Sequence, residues 1–445
     1  MTITKEVIPS SEPHKSNREM IFRFAMALLF ATFLLGVPCA AQTVTGLHIF
    51  TGGSDGAGPA APVTADQKGN LFGTTWNGGL QSCDGGAGCG TIFKETAPST
   101  SGGKWIFTRL YEFTGGNDGC CNSSTLAIDR EGRLYGVTNG GLPGGSVFQL
   151  TPRGSKSTLR LLYTFSNKAD GDFPFTPLVI DKSGALYSAS FYWGLPGCLY
   201  NDGCGTVVQL VPPMSKDGAW TENTLYQFRG GTDGGNPSSA LVPGSNGILY
   251  GSTASGGRVT QNCPNGCGVV FEVAPPGLGG SWTERVLYTF QDAPDGAFPY
   301  ALVADKSGAL YGLACCHGRS SENNIFKLTP QKNGTWHKTV IHDFSNSSAY
   351  PPSYITFGGN GILYGTIFGD IDLDAGRVFQ LTPPGKSGGV WKFRTLYDFN
   401  QGGPSRNPNG VILGKFGALY GTLNGGDSDF GAVFELELNK FGDVP

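Results

Sequence analysis

The stretch Ser281 to Gly312, SWTERVLYTFQDAPDGAFPYALVADKSGALYG, decides the fold, because copies of it recur along almost the whole chain. Internal repetition has to be read first, since each repeat is one structural unit and missing it misassigns everything else. Each copy has four pieces. The first ends in an L-Y-x-F-like run whose last Phe falls at Phe50, Phe113, Phe165, Phe228, Phe290, Phe344 and Phe399, at intervals of 52 to 63 residues. The second is a short apolar run often closed by Asp, as in Leu126 to Asp129, Leu178 to Asp181 and Leu302 to Asp305. The third is G-x-L-Y-G or a variant, with its aromatic at Phe72, Tyr135, Tyr187, Tyr250, Tyr311, Tyr364 and Tyr420. The fourth is G-x-V-F-x-L, as in Gly145 to Leu150, Gly268 to Val273, Gly376 to Leu381 and Gly431 to Leu436. All four pieces occur seven times.

Each piece reads as a strand. From Trp282 to Phe290 a period of two puts Trp282, Glu284, Val286, Tyr288 and Phe290 on one side and Thr283, Arg285, Leu287 and Thr289 on the other. Lys338, at a matching position but polar, is expected to tolerate substitution. Aromatic and β-branched residues fill these runs, and Gly, Pro, Asn or Asp separate them. No convincing amphipathic helix follows residue 42.

Seven units of four short antiparallel strands predict an all-β fold, a seven-bladed β-propeller. If the short apolar piece is the innermost strand A, then L-Y-G is B, V-F-x-L is C and the W…L-Y-x-F run is the outer strand D. The chain then opens with a lone D strand at Val44 to Phe50 and ends with A, B and C of a last blade. Pairing the two ends completes that blade and covers an edge that would otherwise be bare.

These residues resemble those of a bacterial family, the choice-of-anchor tandem repeat GloVer-containing proteins. The resemblance rests on the Trp…Leu-Tyr-x-Phe, Asp-Gly-x-x-Pro, Gly-x-Leu-Tyr-Gly-Thr and Gly-x-Val-Phe segments and spans residues 45 to 437. It implies a secreted bacterial repeat protein and no particular activity. Members often end in a sorting tail, whereas this chain ends in Asn439 to Pro445 without one.

The N-terminus is of another kind. Lys15, Arg18 and Arg23 precede an apolar run from Phe24 to Val37 that ends in Pro38-Cys39-Ala40-Ala41. A basic region, a short apolar run and small residues form the pattern of a secretory signal peptide, with either Met1 or Met20 as the start. Residues 1–41 are therefore read as the signal, and 42–445 as a single propeller domain that is secreted, periplasmic or extracellular, with no transmembrane segment in the mature chain. The 71 Gly and 12% aromatic residues suit many short strands joined by tight turns. A net charge of −3 offers no basic footprint, so nucleic acid is excluded as a partner. The expected partner is a glycan or a protein, and the expected state is a monomer.

Ten cysteines remain once Cys39 is assigned to the signal, an even number for an oxidising compartment. Cys83/Cys89, Cys198/Cys204 and Cys263/Cys267 each bracket a loop between B and C and read as local disulfides. Zinc is the alternative, but no His lies near those pairs. Cys120-Cys121 and Cys315-Cys316 are adjacent pairs that could form vicinal disulfides, stay reduced or link to other loops. Every strand reverses direction, so the B-to-C and D-to-A loops share one face, and all ten cysteines belong to it.

On that face lie the residues put forward for ligand binding: Trp76, Tyr192, Trp193, His317 and Arg319. Tyr192 and Trp193 stand where other units have Gly-Gly, and exposed aromatics can stack on sugars or peptides. The run Asp370, Asp372, Asp374 resembles the start of a calcium loop, although Gly376 comes one place late and Leu381 replaces the bidentate Glu. Calcium is the one cofactor considered. His48 and His342 take the slot of Tyr in other D strands and read as packing residues. No catalytic residues are assigned. The reading is a secreted non-catalytic binding or scaffolding propeller for carbohydrate or protein. The alternatives are a propeller enzyme, a hydrolase or lyase acting on polysaccharide or a small molecule, and a disulfide-stapled structural envelope protein.

Overall fold

The structure, a computed structural model, describes residues 42–121, 124–141, 144–153, 157–166, 176–198, 202–215, 218–277, 280–315, 323–344, 351–369, 374–386, 388–425 and 429–438. The region read as a signal peptide lies outside the described residues. So do Cys316, His317, Arg319, Asp370 and Asp372.

Seven antiparallel sheets form the blades of a β-propeller, each ordered A-B-C-D, with a split A strand in blade four. Blade one runs through Thr64–Ala65, Leu71–Thr75, Thr91–Thr96 and Ile106–Glu112. Blade two runs through Ala127–Ile128, Leu134–Thr138, Ser146–Thr151 and Thr158–Thr164. Blade three runs through Val179–Ile180, Leu186–Ser190, Thr206–Val211 and Thr221–Gln227. In blade four Gly235–Pro237 and Val242–Pro243 precede Leu249–Ser255, Val269–Ala274 and Thr283–Thr289. Blade five is Ala297–Ala304, Leu310–Cys315, Asn324–Pro330 and Trp336–Asp343, and blade six is Pro352–Phe357, Leu363–Ile367, Arg377–Thr382 and Lys392–Asp398. Blade seven takes Pro408–Leu413, Leu419–Leu423 and Ala432–Leu436 from the C-terminal end. Its D strand is Val44–Ile49, antiparallel to Ala432–Leu436 with Val44 opposite Leu436. The predicted closure by the two ends is thus present. The only helices among the described residues are short 3-10 turns, and none is long and apolar enough to cross a membrane.

Seven apolar clusters hold the ring, and each lies between two neighbouring blades. At six of these boundaries the Phe that ends L-Y-x-F meets the Phe of V-F-x-L in the next blade, as in Phe290 and Phe326, edge to face at 5.2 Å. Edge-to-face rings at 4.5–7 Å stabilise by about 0.5–1.5 kcal/mol beyond burial. The second Phe lies across from the Gly of L-Y-G on strand B, as Phe271 does from Gly251. A Cβ on Gly251 would fall 2.3 Å from the Phe271 Cζ, so the repeated Gly is a seat for a ring. Blade three departs from this at both places at once. There Ser188 pairs with Val208, the smaller side chain leaving room for the hydroxymethyl group.

The outer strands correct the alternation read from sequence. All seven carry a bulge at the Leu or Ile of L-Y-x-F. In blade four Val270 pairs with Tyr288 and Phe271 with Val286, leaving Leu287 as the extra residue. A bulge sets two residues against one and shifts the alternation. Trp282 and Val286 consequently pack toward blade three, while Leu287, Tyr288 and Phe290 pack toward blade five. One strand serves two cores.

Lys338 is a second correction. Its side chain is 4% exposed, with Nζ 2.7 Å from Asp295 Oδ1 and over the rings of Tyr288, Phe290 and Phe326. Burial pulls this ammonium below the usual Lys range, and Asp295 pulls it back. Glu95 is a third polar residue in an apolar place. It takes the slot of Leu150, Leu328 or Leu436 in other C strands, pairing with Leu71 and Phe107 at the seam where the ring closes. It is fully buried, neither carboxyl oxygen has a hydrogen-bond partner, and burial pushes its pKa up to about 8.

Three outcomes follow from this packing. In a double-mutant cycle by denaturant unfolding, Gly251→Ala and Phe271→Val should each destabilise, and together fall short of their sum by at least about 1 kcal/mol. Additive losses would remove the ring-on-glycine account. Lys338→Met takes the cation away from the half-buried Asp295 carboxylate and should lower stability by about 1–3 kcal/mol, much of it regained when Asp295→Asn is added. Equal losses in the single and the double variant would show that the ion pair is not the cause. Glu95 binds its proton more tightly folded than unfolded. Its contribution is therefore intact below the unfolded pKa near 4.5 and lost as pH rises toward about 8, at up to about 1.4 kcal/mol per unit. Melting curves of Glu95→Leu across that range should show a higher Tm and a shallower fall with pH than the parent.

Candidate functional site

The B-to-C and D-to-A loops meet on one face, and their contact is repeated around the ring. At five of the seven boundaries, among the described residues, a backbone N–H entering the new blade donates to a carbonyl at the end of the preceding B-to-C loop. The pairs are Gly58 to Phe430, Cys121 to Cys89, Asn236 to Cys204, Phe298 to Cys267 and Asn407 to Ala375, at 2.7–3.1 Å. The donors share a left-handed backbone, with φ between 49° and 59°. Cys83–Cys89, Cys198–Cys204 and Cys263–Cys267 lie at disulfide distance, with Cα–Cα separations of 5.0, 4.9 and 5.1 Å. The D-to-A loop crosses directly over the sulfurs. A Cβ on Gly230 would sit 2.3 Å from Cys198 Sγ, so only glycine lets the chain pass.

Side-chain latches fix the same loops. Tyr111, Tyr226 and Tyr288 donate from their hydroxyls to Asp118, Asp233 and Asp295 at 2.8–2.9 Å, and His48 Nε2 lies 3.0 Å from Asp55. These are the Tyr of L-Y-x-F and the Asp of the following Asp-Gly. On the opposite face Tyr135, Tyr187 and Tyr311 bond Asp129, Asp181 and Asp305 at 3.0–3.1 Å. The two histidines are packed as expected, His48 stacked on Phe107 at 3.7 Å and His342 on Phe393 at 4.3 Å.

Trp193 stands apart from this regular frame. Its N–H donates to Asp202 O, and its carbonyl accepts from Gly205 N at 2.8 Å. In blades one and four the same two bonds are made by Gly78, with Ala87 and Gly90, and by Gly256, with Asn265 and Gly268. Gly78 and Gly256 have φ of 76° and 73°, and Trp193 has 64°. A tryptophan thus occupies a left-handed position that glycine fills elsewhere, where a side chain costs roughly 1–2 kcal/mol. Trp193 is 41% exposed, so a large part of the residue faces solvent while the rest is covered. Two tethers hold the described residues on either side of it. Cys198 lies at disulfide distance from Cys204, and Asn236 Nδ2 donates to Phe191 O and Gly203 O at 2.9 and 3.1 Å.

The other proposed residues are placed differently. Tyr192 is half-buried, its ring against Phe191 at 4.7 Å. Trp76 packs against the core between blades one and two. Asp374 is engaged by its own neighbours, Oδ1 accepting from Gly376 N and Asn400 Nδ2 and Oδ2 pairing with Arg377 at 3.1 Å. Among the described residues no three ligating side chains gather as a metal site. The structure adds Glu284, whose carboxyl is pushed up to about 7 by burial and by Asp233 and Glu272. Burial pushes the Cys315 thiol up to about 11, which keeps it protonated near neutrality.

The opposite face has open grooves between blades. One of about 450 Å³ is walled by Tyr135, Gln149 and Trp220, and another of about 570 Å³ by Tyr311, Lys327 and Trp391.

None of the curated proteins matches this chain. Among solved structures, a putative 6-phosphogluconolactonase of Bacteroides uniformis is similar at 14% identity, covering 78% of this chain and 91% of that one with a TM-score of 0.50. One from Bacteroides fragilis is 15% identical, covering 80% and 89%, with a TM-score of 0.49. A protein of unknown function from Dyadobacter fermentans is 10% identical, covering 88% and 98%, with a TM-score of 0.43. Likeness at this identity concerns the fold alone. The sequence pattern of the Gloeobacter/Verrucomicrobia repeat matches residues 35–196 and 145–370, and the chain belongs to that repeat family.

Proposed function

We propose that this protein is a non-catalytic binding propeller at the cell envelope, and that it takes carbohydrate or protein on its disulfide-bearing face at Trp193. The observation that carries the reading is the strained, exposed indole. Left-handed non-glycine residues persist where the surroundings enforce them, and they gather at functional sites. A flat ring held on a cross-linked loop binds with little loss of side-chain freedom. Tyr192 is the next aromatic along. Three disulfides on this face agree with an oxidising location.

A hydrolase or lyase is the second reading, favoured by Glu284. A carboxyl titrating near neutrality beside Asp233 can hold a proton for an acid step. Release of reducing sugar by the parent and not by Glu284→Gln would select this reading.

Trp193→Gly separates function from scaffold. Glycine suits the left-handed position, and relief of roughly 1–2 kcal/mol of strain offsets the burial lost with the side chain, so the variant should melt close to the parent. On a printed array of bacterial and plant polysaccharides, parent binding should disappear in Trp193→Gly and persist in Trp391→Ala, which alters a groove on the other face. A steep loss of Tm in Trp193→Gly would make the indole structural. Unchanged binding in that variant, or no glycan bound by the parent, would overturn the carbohydrate proposal.

A further inference from the structure

Cys120 and Cys121 are neighbours in the loop from blade one to blade two, yet their Sγ atoms lie 2.8 Å apart. In extended chain, successive side chains point to opposite sides, which holds adjacent sulfurs apart. The left-handed backbone of Cys121, φ 59°, breaks that alternation and brings the thiols together. Both are buried, at 6% and 8% exposure. Their surroundings are shaped to them. A Cβ on Gly140 would fall 2.7 Å from Cys120 Sγ, Cys120 N donates to Gly140 O at 3.0 Å, and Cys121 N donates to Cys89 O at 3.1 Å. Cys89 is one end of the neighbouring disulfide.

The B-to-C loops of blades one, three and four are each closed by a cysteine pair, whereas blade two has none between Asn139 and Gly145. Cys120 touches that loop from outside. Its N–H and carbonyl bond Gly140 O and the Asn139 and Gly140 N–H groups.

We propose that Cys120 and Cys121 form a vicinal disulfide, a fourth staple, which fixes the turn that supports the unstapled loop of blade two. The oxidant is a small or protein-borne disulfide donor. One of the two thiols loses its proton and attacks a donor sulfur, giving a mixed disulfide and releasing one donor thiolate. The second thiol loses its proton in turn and displaces the other donor thiolate, closing the Sγ–Sγ bond. Two electrons pass to the donor, which leaves as two thiols carrying the two protons. Because the pair is buried in the finished fold, the exchange takes place as the loop closes.

Trypsin cuts after Arg109 and Arg130, and the peptide between them contains Cys120 and Cys121 and no other cysteine. The full chain, refolded with oxidised glutathione, unfolded and treated with iodoacetamide before digestion, should yield this peptide unalkylated and two hydrogens lighter than its dithiol form. Prior reduction should give the same peptide with two alkyl groups. In Cys121→Ser the remaining Cys120 should be alkylated or glutathionylated, while the Cys83–Cys89 linkage survives. Two alkyl groups without reductant would overturn the proposal. So would a cross-link from this peptide to any other cysteine-bearing peptide.

Discussion

Two phenylalanine rings meeting edge to face across a blade boundary, one of them seated on a bare glycine, are the contact on which the ring depends. The pair draws on three pieces of the repeat at once: the end of L-Y-x-F, the middle of V-F-x-L and the Gly of L-Y-G. Each residue type is fixed by the others. The rings fill the gap between sheets, and a side chain on strand B would push them out of it. Blade three shows the rule by its exception, since Ser188 and Val208 depart together and the Phe165 ring then faces a smaller neighbour. A core made of such local agreements is stabilised one boundary at a time, as in other repeat architectures.

The bulge in each outer strand is the complement of that contact. A regular strand buries one face, and an outer strand of a propeller has a blade on either side. Setting one extra residue at the Leu of L-Y-x-F turns the first half of the strand toward the preceding blade and the second half toward the following one. The edge of the sheet is also bent, which discourages pairing with another chain.

Most of the architecture was legible from spacing alone: blade number, strand order, ring closure and the loops that carry the cysteines. The bulge was not, because L-Y-x-F satisfies a period of two on paper and the extra residue appears only against its partner strand. Lys338 was misread for a related reason. Its counter-charge, Asp295, lies 43 residues away, outside any local pattern. The Tyr–Asp latches did leave a trace. Where Asp is missing from the turn before strand B, as at Gly244 to Gly247 of blade four, Tyr250 has no aspartate in the latch position. Trp193 lay between these cases. Sequence placed aromatics where Gly-Gly stands elsewhere, which marked the loop as irregular. Only backbone geometry revealed that the indole holds a position suited to glycine.

Closure by the first strand has a consequence in time. Among the propeller's described strands Val44–Ile49 leaves the ribosome first, yet its partner Ala432–Leu436 is the last of them to be made, nearly the full length of the propeller later. Until then the nascent chain is an open fan with an unpaired strand at one end and an unfilled sheet at the other. Six blades can assemble from contacts within and between neighbouring repeats, but the seventh must wait for the two ends to find each other, a long-range step of the kind that slows folding. The ring is therefore complete only once its last repeat is made: a chain interrupted before that repeat leaves Val44–Ile49 with nothing to pair with.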